Sequence, residues 1–177
     1  MKDLISYPLS NDDIQKILRN VKIITYPELA NYKTIEDLLP QEFTCVVILI
    51  LEKPHEGHWT GLMRYSNMFE HFDSYGNPPD YDITHWLDES KRAQLNESTL
   101  YLTNLLKGRK HIYNKIKYQS KNPNVNDCGD HVCYRLYKFK NDGMTLSEYQ
   151  KHMKNLCKLY GSTPDEIVTE FISHFIN

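Results

Sequence analysis

Apolar residues first recur at helical spacing at Ile14, Ile17 and Leu18, directly after Ser10-Asn11-Asp12-Asp13, which predicts a capped helix from about residue 11. Thr34-Ile35-Glu36-Asp37 is a weaker start signal for a short helix through Leu39. The stretch Phe43 to Leu51 (FTCVVILIL) is apolar at odd and even positions and rich in β-branched residues, the pattern of a central strand covered on both faces. After Pro54 and Gly57 a second strand is predicted from His58 (HWTGLMRY), with Ser66-Asn67 as a hairpin turn and Met68 to Asp73 (MFEHFD) as the returning strand. Tyr75-Gly76-Asn77-Pro78-Pro79 ends that segment. Helical patterns cover about 83–93 and 98–107. Residues 111–118 (HIYNKIKY) then alternate, with Ile112, Ile116 and Tyr118 on one face and Lys115 and Lys117 on the other, as in a half-buried strand. Beyond a polar loop, 119–127, Cys128-Gly129 opens a helix with the core stripe Val132, Leu136 and Phe139. Thr145-Leu146-Ser147-Glu148 is a capping box for another helix, and Thr163-Pro164-Asp165-Glu166 starts the last. This order of elements predicts an α+β domain.

Composition narrows the class. A chain of 177 residues with 40% hydrophobic and 25% charged residues is expected to fold as one domain over 1–177 with a real core. The longest apolar run, Cys45 to Leu51, is far shorter than the ~20 residues a membrane span needs. Met1-Lys2-Asp3-Leu4 leads into no apolar signal core, so an intracellular location and reduced thiols are expected at Cys45, Cys128, Cys133 and Cys157. A formal charge of −2 gives no global attraction to nucleic acid. The charge is uneven, however: 98–126 lacks any acidic residue and carries Lys107, Arg109, Lys110, Lys115, Lys117 and Lys121. The simpler reading is a solvated strand face whose lysines discourage edge pairing, and the sharper one is contact with nucleic acid or an acidic partner.

The candidate chemistry begins at the hairpin. With Tyr65 opposite Met68, Thr60 faces Asp73, so Asp73 lies one diagonal step from His58 on the same face. Such neighbours sit roughly 5–8 Å apart at Cβ, within carboxylate–imidazole reach. Cys128 at a helix N-terminus would feel free N–H groups and the positive end of the dipole, which favours thiolate. Gly129 would let a substrate backbone approach, and a nearby imidazole would complete a nucleophile–base pair. His58, oriented by Asp73, is the candidate base, with Glu70 on the opposite strand face. Asp127 reads as the helix N-cap, His71 as a bystander, Trp59 as a packing residue, and Cys45, Cys133 and Cys157 as core residues. His55, His58, His71, Cys128, His131 and Cys133 could supply metal ligands, but no pair has zinc-finger spacing, so neither a metal nor another cofactor is expected.

His58-Trp59, a returning strand ending Phe72-Asp73-Ser74, Tyr118-Gln119-Ser120, and Asp127-Cys128-Gly129-Asp130-His131-Val132 opening a helix together resemble the clan CE cysteine peptidases. That group holds the adenain-like and Ulp-like enzymes, and the likeness is greatest to its proteases from large DNA viruses and virophages. It covers about residues 10–150. The resemblance implies a central mixed sheet flanked by helices, His58 as base, Asp73 as orienting acid, and Gln119 with the Cys128 amide as oxyanion donors. It also implies that Trp59 walls a narrow cleft admitting small, Gly-type residues. The connection from Gln119 to Cys128 is longer than the family pattern, which leaves Asn122 as an alternative donor. A polypeptide substrate follows, with capsid precursors during virion maturation as the expected class, in host cytoplasm or viral factory and also within the virion. Removal of ubiquitin-like modifiers is the alternative, and an acyl transferase on the same fold a more distant one.

Overall fold

A computed structural model describes residues 7–176. Among them, α1 (Asn11–Leu18) begins at Ser10, whose hydroxyl accepts from the Asp13 N–H while Asp13 bonds back in a capping box. Strand β1 (Lys22–Thr25) follows, a short element that the sequence pattern did not mark. A 3-10 turn over Tyr26–Asn31 and the one-turn helix α2 (Ile35–Leu38) lead into β2 (Thr44–Lys53) and β3 (Glu56–Arg64). Then come β4 (Phe69–Phe72), α3 (Tyr81–His85), α4 (Glu89–Gln94), α5 (Tyr101–Leu106) and β5 (His111–Tyr113). The chain closes with α6 (Cys128–Asp142), α7 (Leu146–Tyr160) and α8 (Pro164–Ile176).

The five strands form one mixed sheet in sequence order, with β1–β2 and β4–β5 parallel and the two central pairings antiparallel. The double-sided apolarity of β2 now has its reason. Cys45, Val47 and Leu49 join a core with Met63, Val132, Leu136 and Tyr149, while Val46, Ile48 and Ile50 join another with Leu29, Leu62, Ile83 and Leu102. Helices therefore cover both faces, and alternation along one strand feeds two cores.

The hairpin has the register expected from its turn. Tyr65 N–H donates to the Met68 carbonyl at 2.8 Å, and Gly61, Leu62, Met63 and Arg64 pair with Phe72, His71, Glu70 and Phe69. Two expectations need correction. The strand over 111–118 stops at Tyr113, because Asn114 turns inward to bond the backbone of Asp73, and Ile116, expected inside, is 45% exposed. The helix over 83–93 is two pieces separated at Trp86-Leu87-Asp88, where Asp88 accepts the Lys91 N–H and starts a new helix.

Helix α6 lies across β3 with Val132, Leu136 and Phe139 buried. Its Arg135 is wholly buried and holds Glu70 of β4 by two bonds, Nε to Oε1 at 2.9 Å and Nη2 to Oε2 at 2.7 Å. Nη2 also reaches the Tyr65 hydroxyl and the Met144 carbonyl, so one guanidinium joins the hairpin, α6 and the start of α7. Removing one partner of such a pair strands a buried charge, which typically costs about 3–5 kcal/mol. Glu70→Ala is therefore expected to lower the unfolding free energy by about that amount, read from the urea midpoint at neutral pH.

Candidate active site

Strand β3 carries His58 to the face shared with Asp73, and the two meet: Nε2 lies 2.8 Å from Asp73 Oδ1, with both side chains buried. Asp73 is placed just past β4 and braced from two sides. Asn114 accepts its N–H and donates to its carbonyl, and its Oδ1 also accepts the Tyr75 N–H at 2.9 Å. With Nε2–H donated to Asp73, Nδ1 is left as the basic nitrogen. Burial opposes protonation of His58, but the charge and hydrogen bond of Asp73, joined by Cys128, outweigh it and raise the imidazole pKa well above its ordinary value. Asp73 moves the opposite way: burial pushes its carboxyl up, and His58 overcomes this and holds it below the usual range.

Cys128 is the first residue of α6 and lines, with His58 and Gln119, a cleft of about 610 Å³. It is half-buried, whereas Cys45 and Cys133 are core residues and burial raises both of their thiols, Cys45 to about 12. Cys157, expected in the core, is only partly buried at its edge. Gln119 is 3% exposed, follows the buried Tyr118, and has its Oε1 fixed by the Ser74 hydroxyl at 2.6 Å. Its amide nitrogen keeps only a long contact, 3.5 Å, to the Val125 carbonyl. Asn122 also lines the cleft but is exposed, with Oδ1 accepting the Asn124 N–H in a local turn. The long Gln119–Cys128 connection is taken up by that loop, which turns back so that Val125 lies beside Gln119.

Two readings of the sequence are corrected. Trp59, expected to wall the cleft, is 6% exposed and lies on the face opposite His58, with Nε1 donating to the Leu9 carbonyl at 3.2 Å. Strand alternation forces this, since consecutive side chains point to opposite faces. The aromatic walls are Tyr75, stacked on the His58 ring at 5.3 Å, and Trp86, edge-on to it at 5.3 Å. Gly129 is buried as well: a Cβ there would stand 3.1 Å from Leu9 and 3.2 Å from Trp59, so the absent side chain serves helix packing. Asp127 occupies the N-cap position of α6 but makes no side-chain cap bond.

Asn114, Trp86 and Asp82 are among the participants that escaped the sequence reading. Asn114 sat at an inward position of the alternating segment, a polar residue on an apolar face, and that was its signal. Trp86 and Asp82 had none, because a short helix after a proline-rich turn carries Asp82 and ends at Trp86. Asp82 is 3% exposed, its Oδ2 lies 3.9 Å from His58 Nε2, and Asn77 donates to its Oδ1 at 3.0 Å. Burial and then the charge of Asp73 push its carboxyl up to about 7.

The residues weighed as a metal set do not assemble among the described residues. His55 lies in the β2–β3 turn, His71 is buried without a hydrogen-bond partner, and Cys133 is in the core. Two ligand-type clusters do converge, His58 with Asp73 and Asp82, and Asp127 with His131 and Asp165. In each the imidazole is hydrogen-bonded to a carboxylate at 2.8 Å.

No family model matches the chain. The solved structure of the pS273R protease of African swine fever virus superposes with a TM-score of 0.52 over 97% of this chain and 69% of that one, at 14% identity. The SUMO protease Ulp1 gives a TM-score of 0.41 at 13% identity, over 93% of this chain and 77% of that one. The architecture is thus the fold of the pS273R protease, a mixed sheet with helices on both faces, and here a cysteine opens the helix that crosses it. "Uncharacterized protein V9" of Sputnik virophage is 35% identical over 176 residues, 96% of this chain and 98% of the relative, and the chain belongs to its family.

The raised pKa of Asp82 fixes the sign of a stability effect. Between its ordinary 3.8 and about 7 the folded state keeps a proton that the unfolded chain releases, so stability falls as pH rises through that window. Asp82→Asn is expected to flatten the fall by at most about 1.4 kcal/mol per pH unit, one proton's worth, measured by urea unfolding from pH 4 to 7.

Proposed function

We propose that the chain is a cysteine endopeptidase with Cys128 as nucleophile. The observation that carries the reading is the buried 2.8 Å His58–Asp73 contact at a cleft that Cys128 also lines. In this reading His58 Nδ1 holds the proton of the Cys128 thiol, Sγ attacks the substrate carbonyl as thiolate, and Asp73 stabilises the imidazolium. The negative charge that develops on oxygen is met by the Cys128 N–H, one of the first-turn amides without an intrahelical acceptor, and by Gln119 Nε2. The imidazolium then protonates the leaving amine. Water, deprotonated by His58, hydrolyses the thioester.

Gln119 is the better donor because Ser74 fixes its carbonyl end, whereas Asn122 is solvated and held by its own turn. Losing one oxyanion donor typically costs about 10²–10³ in turnover. Gln119→Ala is expected to lose kcat on that order with KM little changed, and Asn122→Ala to stay near wild type. The reverse result in steady-state kinetics moves the role to Asn122.

The substrates we propose are viral capsid precursors, cut after small, Gly-type residues during virion maturation. The virophage relative and the aromatic narrowing of the cleft by Tyr75 and Trp86 support this, the latter replacing Trp59 as the residue that would exclude large side chains. The enzyme would act inside the infected cell, in cytoplasm or viral factory, and be packaged in the virion. Incubation with candidate precursors and with ubiquitin-like conjugates, followed by mapping of the cut ends, tests it. Cleavage of precursors after glycine, abolished by Cys128→Ala, is expected, and cleavage of the conjugates alone would reassign the substrate.

Weak nucleic-acid contact through Lys107, Arg109, Lys110, Lys115 and Lys117 is a second reading of the basic segment. Its support is that Lys115 and Lys117 stay exposed and that Lys117 shares a groove with Lys151 and Lys154 of α7, although Arg109 is engaged by Glu36 at 2.6 Å. Affinity for duplex DNA that falls steeply with salt is the expected signature.

A further inference from the structure

A second buried imidazole–carboxylate cluster lies one residue behind each of the two proposed oxyanion donors. His131, in the first turn of α6 and 0% exposed, places Nε2 2.8 Å from Asp165 Oδ1 and 3.6 Å from Asp127 Oδ2. Asp165, at the start of α8, also accepts the Ser120 N–H on both oxygens, at 3.3 and 3.1 Å. Ser120 directly follows Gln119, and Asp127 directly precedes Cys128. One ion pair thus holds both the strand of chain that carries the side-chain donor and the entry to the helix that carries the amide donor.

The position of Asp127 is the telling feature. An aspartate at a helix N-cap ordinarily turns its carboxylate onto the N–H groups of the second or third helical residue. Here it makes no cap bond, is 0% exposed, and leaves both oxygens without a hydrogen-bond partner. Its backbone, at φ −106° and ψ 20°, also departs from the extended conformation of a capping residue, and the imidazole of His131 stands 3.6 Å from the carboxyl. A capping carboxylate would put negative charge at the mouth of α6, where the substrate oxygen becomes negative.

We infer that His131, anchored by Asp165, is a positioning residue that keeps the Asp127 carboxyl off the N-terminus of α6 and so preserves the oxyanion site. The inference rests on the peptidase reading for its kinetic consequence, but its structural half stands apart. The groups facing His131 are Asp127 and Asp130 of α6, Asp165 of α8 and the ring of Tyr118, stacked at 6.3 Å. Burial alone would favour a neutral imidazole, but the nearby Asp127 carboxyl and the hydrogen bond and charge of Asp165 reverse this and raise its pKa to about 9, so the anchor is a cation at neutral pH.

The test has an arm that needs no activity. In His131→Gln the released Asp127 should cap α6, so the Gly129 and Asp130 amides should exchange with deuterium more slowly relative to the other α6 amides. In the kinetic arm, His131→Gln should lower kcat about 10²-fold with KM little changed, as for a weakened oxyanion site. Adding Asp127→Ala should restore much of that kcat, because no carboxyl remains to cap. Unchanged exchange at Gly129 and Asp130, or a double variant no faster than His131→Gln, overturns the inference. An inactive wild type would instead overturn the peptidase reading and leave the exchange result to decide this one. Should His131→Gln not fold, Asp165→Asn, which weakens the anchor while keeping an acceptor for Ser120, is expected to shift exchange and kcat in the same directions, and no shift there is equally fatal.

Discussion

The close seating of α6 on β3 is the constraint on which the rest of the molecule depends. Gly61 of β3 leaves room for Leu136, since a Cβ there would stand 2.6 Å from its Cδ1, and Gly129 leaves room for Trp59 and Leu9. At one end of this contact Cys128 comes to the cleft that His58 lines; further along, Arg135 reaches Glu70 across the hairpin. Interiors pack densely and yield little, so the placing of the helix fixes the placing of its first residue. The nucleophile candidate is thus located by packing distant from it.

Burial of charge is the second theme. Arg135 with Glu70, His58 with Asp73, and His131 with Asp165 are three ion-pair or imidazole–carboxylate contacts taken out of water. Each repays its desolvation only while every partner stays in place, which makes the arrangement stiff as well as costly. The same low polarity keeps Asp82 and Asp130 near neutrality, with pKa values pushed to about 7 by burial first and by neighbouring carboxylates next. The two histidine clusters share one logic: a buried carboxylate accepts the Nε2–H of the imidazole and fixes the ring.

Sharing a fold at 14% identity does not by itself transmit chemistry, because one architecture can host unrelated activities. The proposed activity therefore rests on the geometry around His58. That geometry is local and unusually well braced, with Asn114 holding the Asp73 backbone on both sides and Ser74 fixing Gln119.

What the sequence determined by itself was whatever depends on local chemistry and strand parity. A two-residue turn sets the register of the hairpin, and alternation then places Asp73 with His58 and Glu70 on the other face, which no later packing can change without slipping the whole strand. Capping residues likewise announced α1, α2, α7 and α8. Tertiary structure decided what several segments settle together. That Trp86 bounds the cleft depended on how α3 and the residue that ends it fold over the sheet, and the end of β5 on Asn114 finding the Asp73 backbone. Asp127 had the right residue type for a cap in the right place, yet a histidine one turn on and an aspartate from the last helix turned it away. Partners far apart in sequence leave no periodic trace, and only the folded chain brings them within reach.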